Sequence, residues 1–247
     1  MKKISIVSTP IGNLKDITLR ALEILKDADV ILCEDTRVSS KLLNHYQISN
    51  KHLISYHKFN EYKSLSKISL LLEQDKKIAL ISDAGTPLIS DPGQILVEYC
   101  HNNFINLEVI PGPSAVTSAF ALSGFNLPFI FIGFLKETSS QRVKQLEQFL
   151  PDISYVFFVS PYKLIATLED IEKVFKNEAK LFLIKEMTKI HERYFLGSAT
   201  DIKQALGENV KGEFTLVLRL ESEIKLKVKK NKYEKYSKIF EKEKKVI

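Results

Sequence analysis

The chain has 247 residues, of which 45% are hydrophobic and 27% are charged, with a formal net charge of +6. This composition is that of an ordinary globular protein and fits one large or two modest domains. No apolar stretch approaches the roughly 20 residues that span a bilayer, so we expect a cytoplasmic protein without a membrane partner. Cys33 and Cys100 lie far apart in apolar segments and are predicted to be buried free thiols. The five histidines lack metal-ligand spacing, so no metal is expected.

The positive charge is concentrated at the end of the chain. Residues 221–247 contain ten lysines and five acidic residues, and the remainder is almost neutral. Two interpretations stay open. The lysines contact an anionic polymer such as RNA, or they only keep the protein in solution. Apolar residues at helical spacing also predict packing against the second domain or a dimer partner, and they are Tyr233, Tyr236, Ile239 and Phe240.

The first half of the chain is predicted to alternate strands and helices. In the first helix, Ile17, Ala21 and Leu25 repeat at the spacing of one buried face. Such alternation indicates an α/β domain with a mostly parallel sheet that is covered by helices. The predicted strands are 4–7, 30–33, 53–56, 78–81 and 107–110, and the predicted helices are 16–27, 37–46, 60–74 and 94–101.

The second half contains strands with fewer intervening helices. This pattern is typical of a mixed α+β domain. We therefore predict an N-terminal α/β domain over 1–113, a C-terminal α+β domain over 114–220, and a Lys-rich tail over 221–247. The predicted strands of the second domain are 129–132, 155–159, 181–184, 193–196 and 214–218.

Three Gly/Pro-rich loops directly follow short apolar runs. They are residues 8–13, 82–87 and 111–114. Ligands of open α/β sheets bind at the carboxyl ends of strands, so the three loops are predicted to line one pocket. The chain has neither a P-loop nor a dinucleotide fingerprint. Glycine allows close backbone approach and proline stiffens the loop, which favours a nucleoside-sized ligand held by main-chain groups. For each loop taken singly, a plain tight turn is the favoured interpretation. The three loops together, with residues 33–37 at the end of another strand, favour the pocket.

Four motifs, taken in chain order, are similar to those of one family. They are residues 8–18, 34–37, 82–93 and 111–114, and the similarity extends from Ile4 to about Leu220. The chain resembles the ribosomal RNA methyltransferase branch of the tetrapyrrole methylase fold family. Porphyrin and precorrin methylases of this fold show G-x-G-P-G-D in the first loop, whereas residues 9–13 read T-P-I-G-N.

The resemblance implies a two-domain tetrapyrrole methylase-like fold with S-adenosyl-L-methionine in the cleft between the domains. It also implies a homodimer that methylates the ribose 2′-oxygen of a cytidine in 16S rRNA or in the small ribosomal subunit. The cofactor-binding residues that it implies are Pro10, Gly12, Asn13, Asp83, Ala84, Gly85, Thr86, Pro87, Pro111, Gly112, Pro113, Ser114 and Ala115.

The expected reaction needs a hydroxyl group to lose its proton as it takes the methyl group. A general base would assist that step, and Asp35, His57 and Glu186 are the candidates. Arg37 and Lys185 are expected to orient phosphate or ribose. The alternatives are a structural ion pair for Asp35 and Arg37, a helix cap or surface residue for His57, and alternating charges at a strand end for Lys185 and Glu186.

Two other function classes stay open from the residues alone. The first is a tetrapyrrole methyltransferase of the same fold, which the altered first loop and the basic tail disfavour. The second is a non-catalytic RNA-binding assembly factor, which the intact turn motifs disfavour. The chain shows no aromatic RNA-binding signature that would support a pure binding module.

Overall fold

A computed structural model describes residues 2–176, 178–207 and 210–220. The Lys-rich tail lies outside these residues, so RNA contact, solubility and packing all remain open interpretations of it. The strands are β1 (Lys3–Val7), β2 (Val30–Cys33), β3 (His52–Ser55), β4 (Ile78–Ile81), β5 (Asn106–Ile110), β6 (Phe129–Phe134), β7 (Ser154–Val159), β8 (Ala179–Lys185), β9 (Arg193–Gly197) and β10 (Phe214–Leu220). The helices are α1 (Leu19–Asp27), α2 (Thr36–His45), α3 (Glu61–Glu73), α4 (Gln94–Asn102), α5 (Ala115–Ser123), α6 (Ser139–Leu146), α7 (Leu164–Phe175) and α8 (Ala199–Leu206).

The first sheet is wholly parallel, with the strand order β3-β2-β4-β1-β5. All residues of β2 and β4 are buried, since helices cover both faces. One face packs on α3 and α4 and contains Ile68 and Leu96, and the other packs on α1 and α2 and contains Leu25 and Leu43. The predicted parallel α/β arrangement is confirmed.

The start of α1 differs from the sequence-based expectation. The helix begins at Leu19 because the side chain of Thr18 accepts a hydrogen bond from the Ala21 backbone N–H at 3.1 Å. The residues before that cap form a separate 3-10 turn, Leu14–Asp16. The predicted start of this helix at Asp16 is therefore wrong.

The second sheet is mixed, with the order β6-β7-β10-β8-β9. Strands β6 and β7 run parallel and the other neighbours run antiparallel. Helices α6, α7 and α8 cover one face, and α5 covers part of the other. Helices α6 and α7 are joined by a buried ion pair, in which Arg142 Nη2 lies 2.6 Å from Asp170 Oδ2. The predicted mixed α+β character of the second half is confirmed.

The two sheets are separate, the first ending at Ile110 and the second beginning at Phe129. The exact boundary at Pro113 stays a prediction. Cys33 and Cys100 are buried free thiols, as expected. Among the residues described by the structure, no helix is both long and apolar enough to cross a membrane.

Candidate active site

The first two Gly/Pro loops are joined by a short antiparallel bridge. The Thr9 N–H donates to the Gly85 carbonyl at 2.8 Å, and the Gly85 N–H donates to the Thr9 carbonyl at 3.1 Å. The Thr9 hydroxyl also donates to the Ser82 carbonyl at 3.0 Å. Gly85 has φ +83°, which favours glycine. The loop after β1 and the loop after β4 therefore form one wall.

The third loop closes against the same wall. The hydroxyl oxygens of Ser8 and Thr86 lie 3.0 Å apart, and Thr86 Oγ1 lies 3.3 Å from the Pro113 carbonyl oxygen. A Cβ atom at Gly112 would lie 2.9 Å from Ser8 Cβ, so a side chain there would push the two loops apart. The three loops meet at the carboxyl edge of the sheet.

The loops line a cleft between the first and second sheets. Three cavities of about 400, 290 and 130 Å³ lie side by side in it, and Ile11 and Ala84 line all three. We call this region the interdomain cleft. Strands of the second sheet supply most of the apolar wall of the 400 Å³ cavity, and the loop after β8 adds Met187. The large side chains from the strands are Phe134, Phe158, Ile184 and Phe214.

The loop after β8 reaches across to the first loop. A Cβ atom at Gly12 would lie 2.5 Å from Lys189 Cγ and 2.6 Å from Thr188 Oγ1. The Asn13 N–H donates to Thr188 Oγ1 at 3.0 Å. Lys189 Nζ in turn contacts Glu186 Oε1 at 3.0 Å and Glu213 Oε2 at 3.1 Å. Gly12 therefore lies where the two sides of the cleft touch.

The predicted cofactor-binding residues divide into two groups. Those that line the interdomain cleft are Pro10, Gly12, Asp83, Ala84, Gly85, Thr86, Ser114 and Ala115. Those outside the cavity linings are Asn13, Pro87, Pro111, Gly112 and Pro113. Of these, Asn13, Gly112 and Pro113 make contacts that shape the loops. Cofactor contact by either group stays a prediction.

Asp35 and Arg37 form a local ion pair at the start of α2. Asp35 accepts a hydrogen bond from the Arg37 backbone N–H at 2.8 Å, and Arg37 Nη2 lies 2.6 Å from Asp35 Oδ2. The Arg37 side chain lowers the pKa of Asp35 to about 2, with help from the backbone hydrogen bond. A carboxylate of such low basicity is a poor general base near neutral pH. The guanidinium of Arg37 is solvent-exposed and lies outside the cavity linings.

Glu186 is held by its neighbours and has φ +52°. Its Oε1 accepts hydrogen bonds from the Glu213 N–H at 2.8 Å and from Lys189 Nζ at 3.0 Å. The hydrogen bond from Glu213 is the largest of the contributions that lower the pKa of Glu186. Lys185 is buried, with Nζ 5.8 Å from the centre of the Phe214 ring.

His57 lies in the turn that precedes α3. Its backbone N–H donates to Asn60 Oδ1 at 2.8 Å, and its Nδ1 accepts from the Phe59 N–H at 3.3 Å. His57, Lys185 and Glu186 are all absent from the linings of the three cavities. Their catalytic roles stay predictions that this placement does not support.

Several cleft residues were missed by sequence reasoning. Phe134, Met187 and Glu213 lie within the range of the resemblance but were given no role, and the strand residue Phe158 looks like ordinary core. Asp91 was quoted within residues 82–93 but was not selected. The feature of the sequence that could have identified Asp91 is its position, four residues after Pro87 in the same loop.

The family follows from comparison with known proteins. Residues 3–203 match the family model for Tetrapyrrole (Corrin/Porphyrin) Methylases. The chain belongs to this methylase family. Within it, the chain is 57% identical over 238 residues to "Ribosomal RNA small subunit methyltransferase I" of Mesomycoplasma conjunctivae, covering 96% of this chain and 99% of the relative. A protein of the same name from Thermotoga maritima is 45% identical and covers 88% of this chain and 98% of the relative.

Solved structures confirm the fold. The uroporphyrin-III-C-methyltransferase of Thermus thermophilus superposes with a TM-score of 0.63 at 20% identity, covering 89% of this chain and 94% of that chain. A putative diphthine synthase from Entamoeba histolytica gives 0.64 at 17% identity, covering 91% and 94%. At these identities the likeness concerns the fold alone.

Proposed function

We propose that the chain is a methyltransferase that modifies the ribose 2′-oxygen of a cytidine in 16S rRNA. The observation that carries this proposal is the 57% identity, over nearly the whole of both chains, to a ribosomal RNA small subunit methyltransferase I. The T-P-I-G-N form of the first loop, which forms the Thr9–Gly85 bridge, supports the same assignment. Function in such a common fold is decided by the site and not by the fold.

The methyl donor that fits the interdomain cleft is S-adenosyl-L-methionine. The cleft combines the polar loop residues Asp83 and Thr86 with apolar residues that include Ile11, Phe134 and Phe158. Such a lining suits a nucleoside, whose flat base needs apolar contact and whose polar edges need a few fixed donors and acceptors. When bound, this donor supplies a methyl group that is already activated by a sulfonium centre.

The residues of the chain would contribute mainly by positioning. Bridged loops on one side and a packed sheet on the other hold the lining in place before a ligand arrives. Orienting two reactants for in-line attack accounts for a large part of the rate acceleration in group-transfer enzymes. The apolar wall around Phe158 and Met187 would exclude water from the reacting groups.

The substrate RNA and a second copy of the chain are the proposed partners, and the cytoplasm is the proposed location. Tyr194 and Leu196 on the edge strand β9 are 62% and 64% exposed. They lie opposite Ile184 and Phe182, on the face of the second sheet that α5 covers only in part. A homodimer would cover these apolar side chains.

Methylation of a tetrapyrrole is the weaker alternative. The uroporphyrin methyltransferase of the comparison is only 20% identical to this chain, which is evidence for the fold and not for the substrate. Four relatives that are 43% to 57% identical to this chain are all named ribosomal RNA small subunit methyltransferase I, and these identities are high enough to support a substrate. The non-catalytic alternative is weakened by the intact cleft.

Alkaline hydrolysis of RNA tests the proposal directly. The purified protein is incubated with small ribosomal subunits and S-adenosyl-L-methionine that is labelled in the methyl group. Alkali cleaves RNA through the free 2′-hydroxyl, so we expect the label in an alkali-resistant dinucleotide that begins with cytidine. Label in a mononucleotide would show base methylation and would overturn the proposed chemistry. A Gly85→Val variant is the control, since a β-branched side chain at φ +83° would disrupt the loop.

A further inference from the structure

The proposed reaction needs a proton acceptor in the cleft, where His57 is absent from the cavity linings and the two carboxylate candidates are engaged by other groups. Asp35 is neutralised by Arg37, and Glu186 is held by Lys189 and the Glu213 backbone. Both contacts favour the charged carboxylate and so reduce its affinity for a proton. An acceptor in the cleft should instead be a carboxylate that is partly desolvated and not engaged by a cation.

Asp91 has the required position. It lines the cavity of about 130 Å³ together with the loop residues Gly85, Thr86 and Ser114 and the aromatic residue Phe158. This cavity shares Ile11 and Ala84 with both larger cavities, so Asp91 opens on the same cleft as the proposed cofactor site. Within the described residues, no cation is among the groups that shift its pKa.

The backbone around Asp91 is fixed from both sides. On the far side, the Gly93 N–H donates to Glu61 Oε2 at 3.0 Å, and Glu61 is itself buried. On the near side, Ser90 has φ +70° and lies close to Gly133, where a Cβ atom would be 3.2 Å from Ser90 Oγ. The main chain that carries Asp91 is therefore in place before the substrate binds.

The surroundings of Asp91 raise its affinity for a proton. Burial is the main cause and the negative charge of Glu34 the next, and together they raise the pKa of Asp91 to about 6. The Ser82 hydroxyl acts in the opposite direction, and the charge of Asp83 adds a small increase. A base whose pKa lies near the working pH combines a deprotonated ground state with useful basicity.

We propose that Asp91 is the general base that takes the proton from the ribose 2′-hydroxyl. The inference rests on the function proposed above. As the oxygen forms its bond to the methyl carbon, the hydroxyl proton moves to a carboxylate oxygen of Asp91. The electron pair of the broken carbon–sulfur bond stays on sulfur, so no further reactant is needed.

An Asp91→Asn variant tests the role through single-turnover rates at saturating RNA and methyl donor. The rate should fall by about 10²- to 10⁴-fold, as expected for a lost general base. The dissociation constant for S-adenosyl-L-methionine should stay within about twofold of the wild-type value. The melting temperature should stay within about two degrees of the wild-type value. An Asn variant that is folded and retains the wild-type rate would overturn the assignment.

A Glu34→Gln variant gives a second test that a purely structural role would not pass. Removing this charge should lower the pKa of Asp91, so the acid limb of the rate–pH profile should move to lower pH while the plateau rate is kept. The titration midpoint of a ¹³C-labelled Asp91 carboxyl group, measured by NMR without RNA or cofactor, should move in the same direction. A wild-type midpoint at or below the ordinary value of 3.8 would overturn the proposal.

The two proposals fail in different ways. If the wild-type protein transfers no methyl group to ribosomal RNA, the proposed function fails, and the NMR midpoint still reports on Asp91. If the wild type is active and Asp91→Asn is equally active, only the assignment of the base fails.

Discussion

The backbone N–H of Asp35 donates a hydrogen bond to Oδ1 of Asp83 at 3.1 Å. This contact ties the loop after β2 to the loop after β4, although 48 residues separate the two positions. Burial is the first cause that raises the pKa of Asp83, and the hydrogen bond from Asp35 acts in the opposite direction. Asp83 therefore holds two loop motifs together in addition to lining the cleft.

An Asp83→Ala variant should be less stable than an Asp83→Asn variant. Alanine leaves the Asp35 N–H without its partner, at a cost of about 1 kcal/mol, while the amide oxygen of asparagine can still accept the hydrogen bond. Urea denaturation would measure the difference. Equal stability of the two variants would show that the contact does not matter for folding.

A Gly12→Ala variant should weaken binding of S-adenosyl-L-methionine. The added methyl group would lie 2.5 Å from Lys189 Cγ and 2.8 Å from the Met187 carbonyl, so the loops on the two sides of the cleft must separate. Calorimetry measures the affinity. Gly124→Ala is the matched control because it adds the same methyl group into open space, at a backbone φ of +67° that costs an L residue about 1 kcal/mol. Unchanged affinity in the Gly12 variant would contradict the placement of the cofactor.

An Arg37→Ala variant should affect RNA binding and leave stability unchanged. The guanidinium is exposed and its only described ion pair is with Asp35, and exposed pairs contribute little to folding. If Arg37 contacts a phosphate, the slope of log affinity against log salt should become shallower by about one unit. Filter binding at several salt concentrations measures the slope, with Arg37→Lys as the control that keeps the charge. An unchanged slope would leave Arg37 as a structural partner of Asp35.

A Glu186→Gln variant should change how stability depends on pH. The pKa of Glu186 is lowered in the folded state, first by the Glu213 N–H, so its ionised form stabilises the fold. That contribution is fully present above the ordinary glutamate pKa of 4.5 and is lost as the pH falls through the folded pKa. The stability gap between wild type and variant should therefore be constant near neutral pH and shrink below about pH 4.5. A stability difference between wild type and variant that grows as the pH falls would contradict a lowered pKa of Glu186 in the folded protein.

Elements with a regular apolar pattern were predictable from the sequence. Strands β2 and β4 match the predicted ranges 30–33 and 78–81, because both are buried on each face and read as unbroken apolar runs. The start of α1 was placed too early because Ile17 fits the helical spacing, whereas the Thr18 cap decides the boundary. Propensity and periodicity do not show which hydroxyl group will cap a helix.

The wall of the cleft that the Gly/Pro loops form was predictable from the sequence, and the opposite wall was not. The loops after β1, β4 and β5 carry glycine and proline, which mark turns in any sequence. The opposite wall comes from residues such as Phe158 and Met187, whose apolar side chains look like core until the two sheets are placed. The environment of Asp91 depends on Glu34, 57 positions earlier in the chain, and no local pattern reports such a long-range charge contact.

The Thr9–Gly85 bridge should protect two loop amide hydrogens from exchange with solvent as strongly as the amides of a β-sheet are protected. Each N–H is bonded to the other residue's carbonyl, so exchange of either hydrogen with solvent requires the ends of β1 and β4 to separate. Strands β1 and β4 are neighbours inside the first sheet, and Thr9 itself is fully buried. This wall of the cleft therefore lasts as long as the central strands stay paired, and ligand entry depends on motion elsewhere.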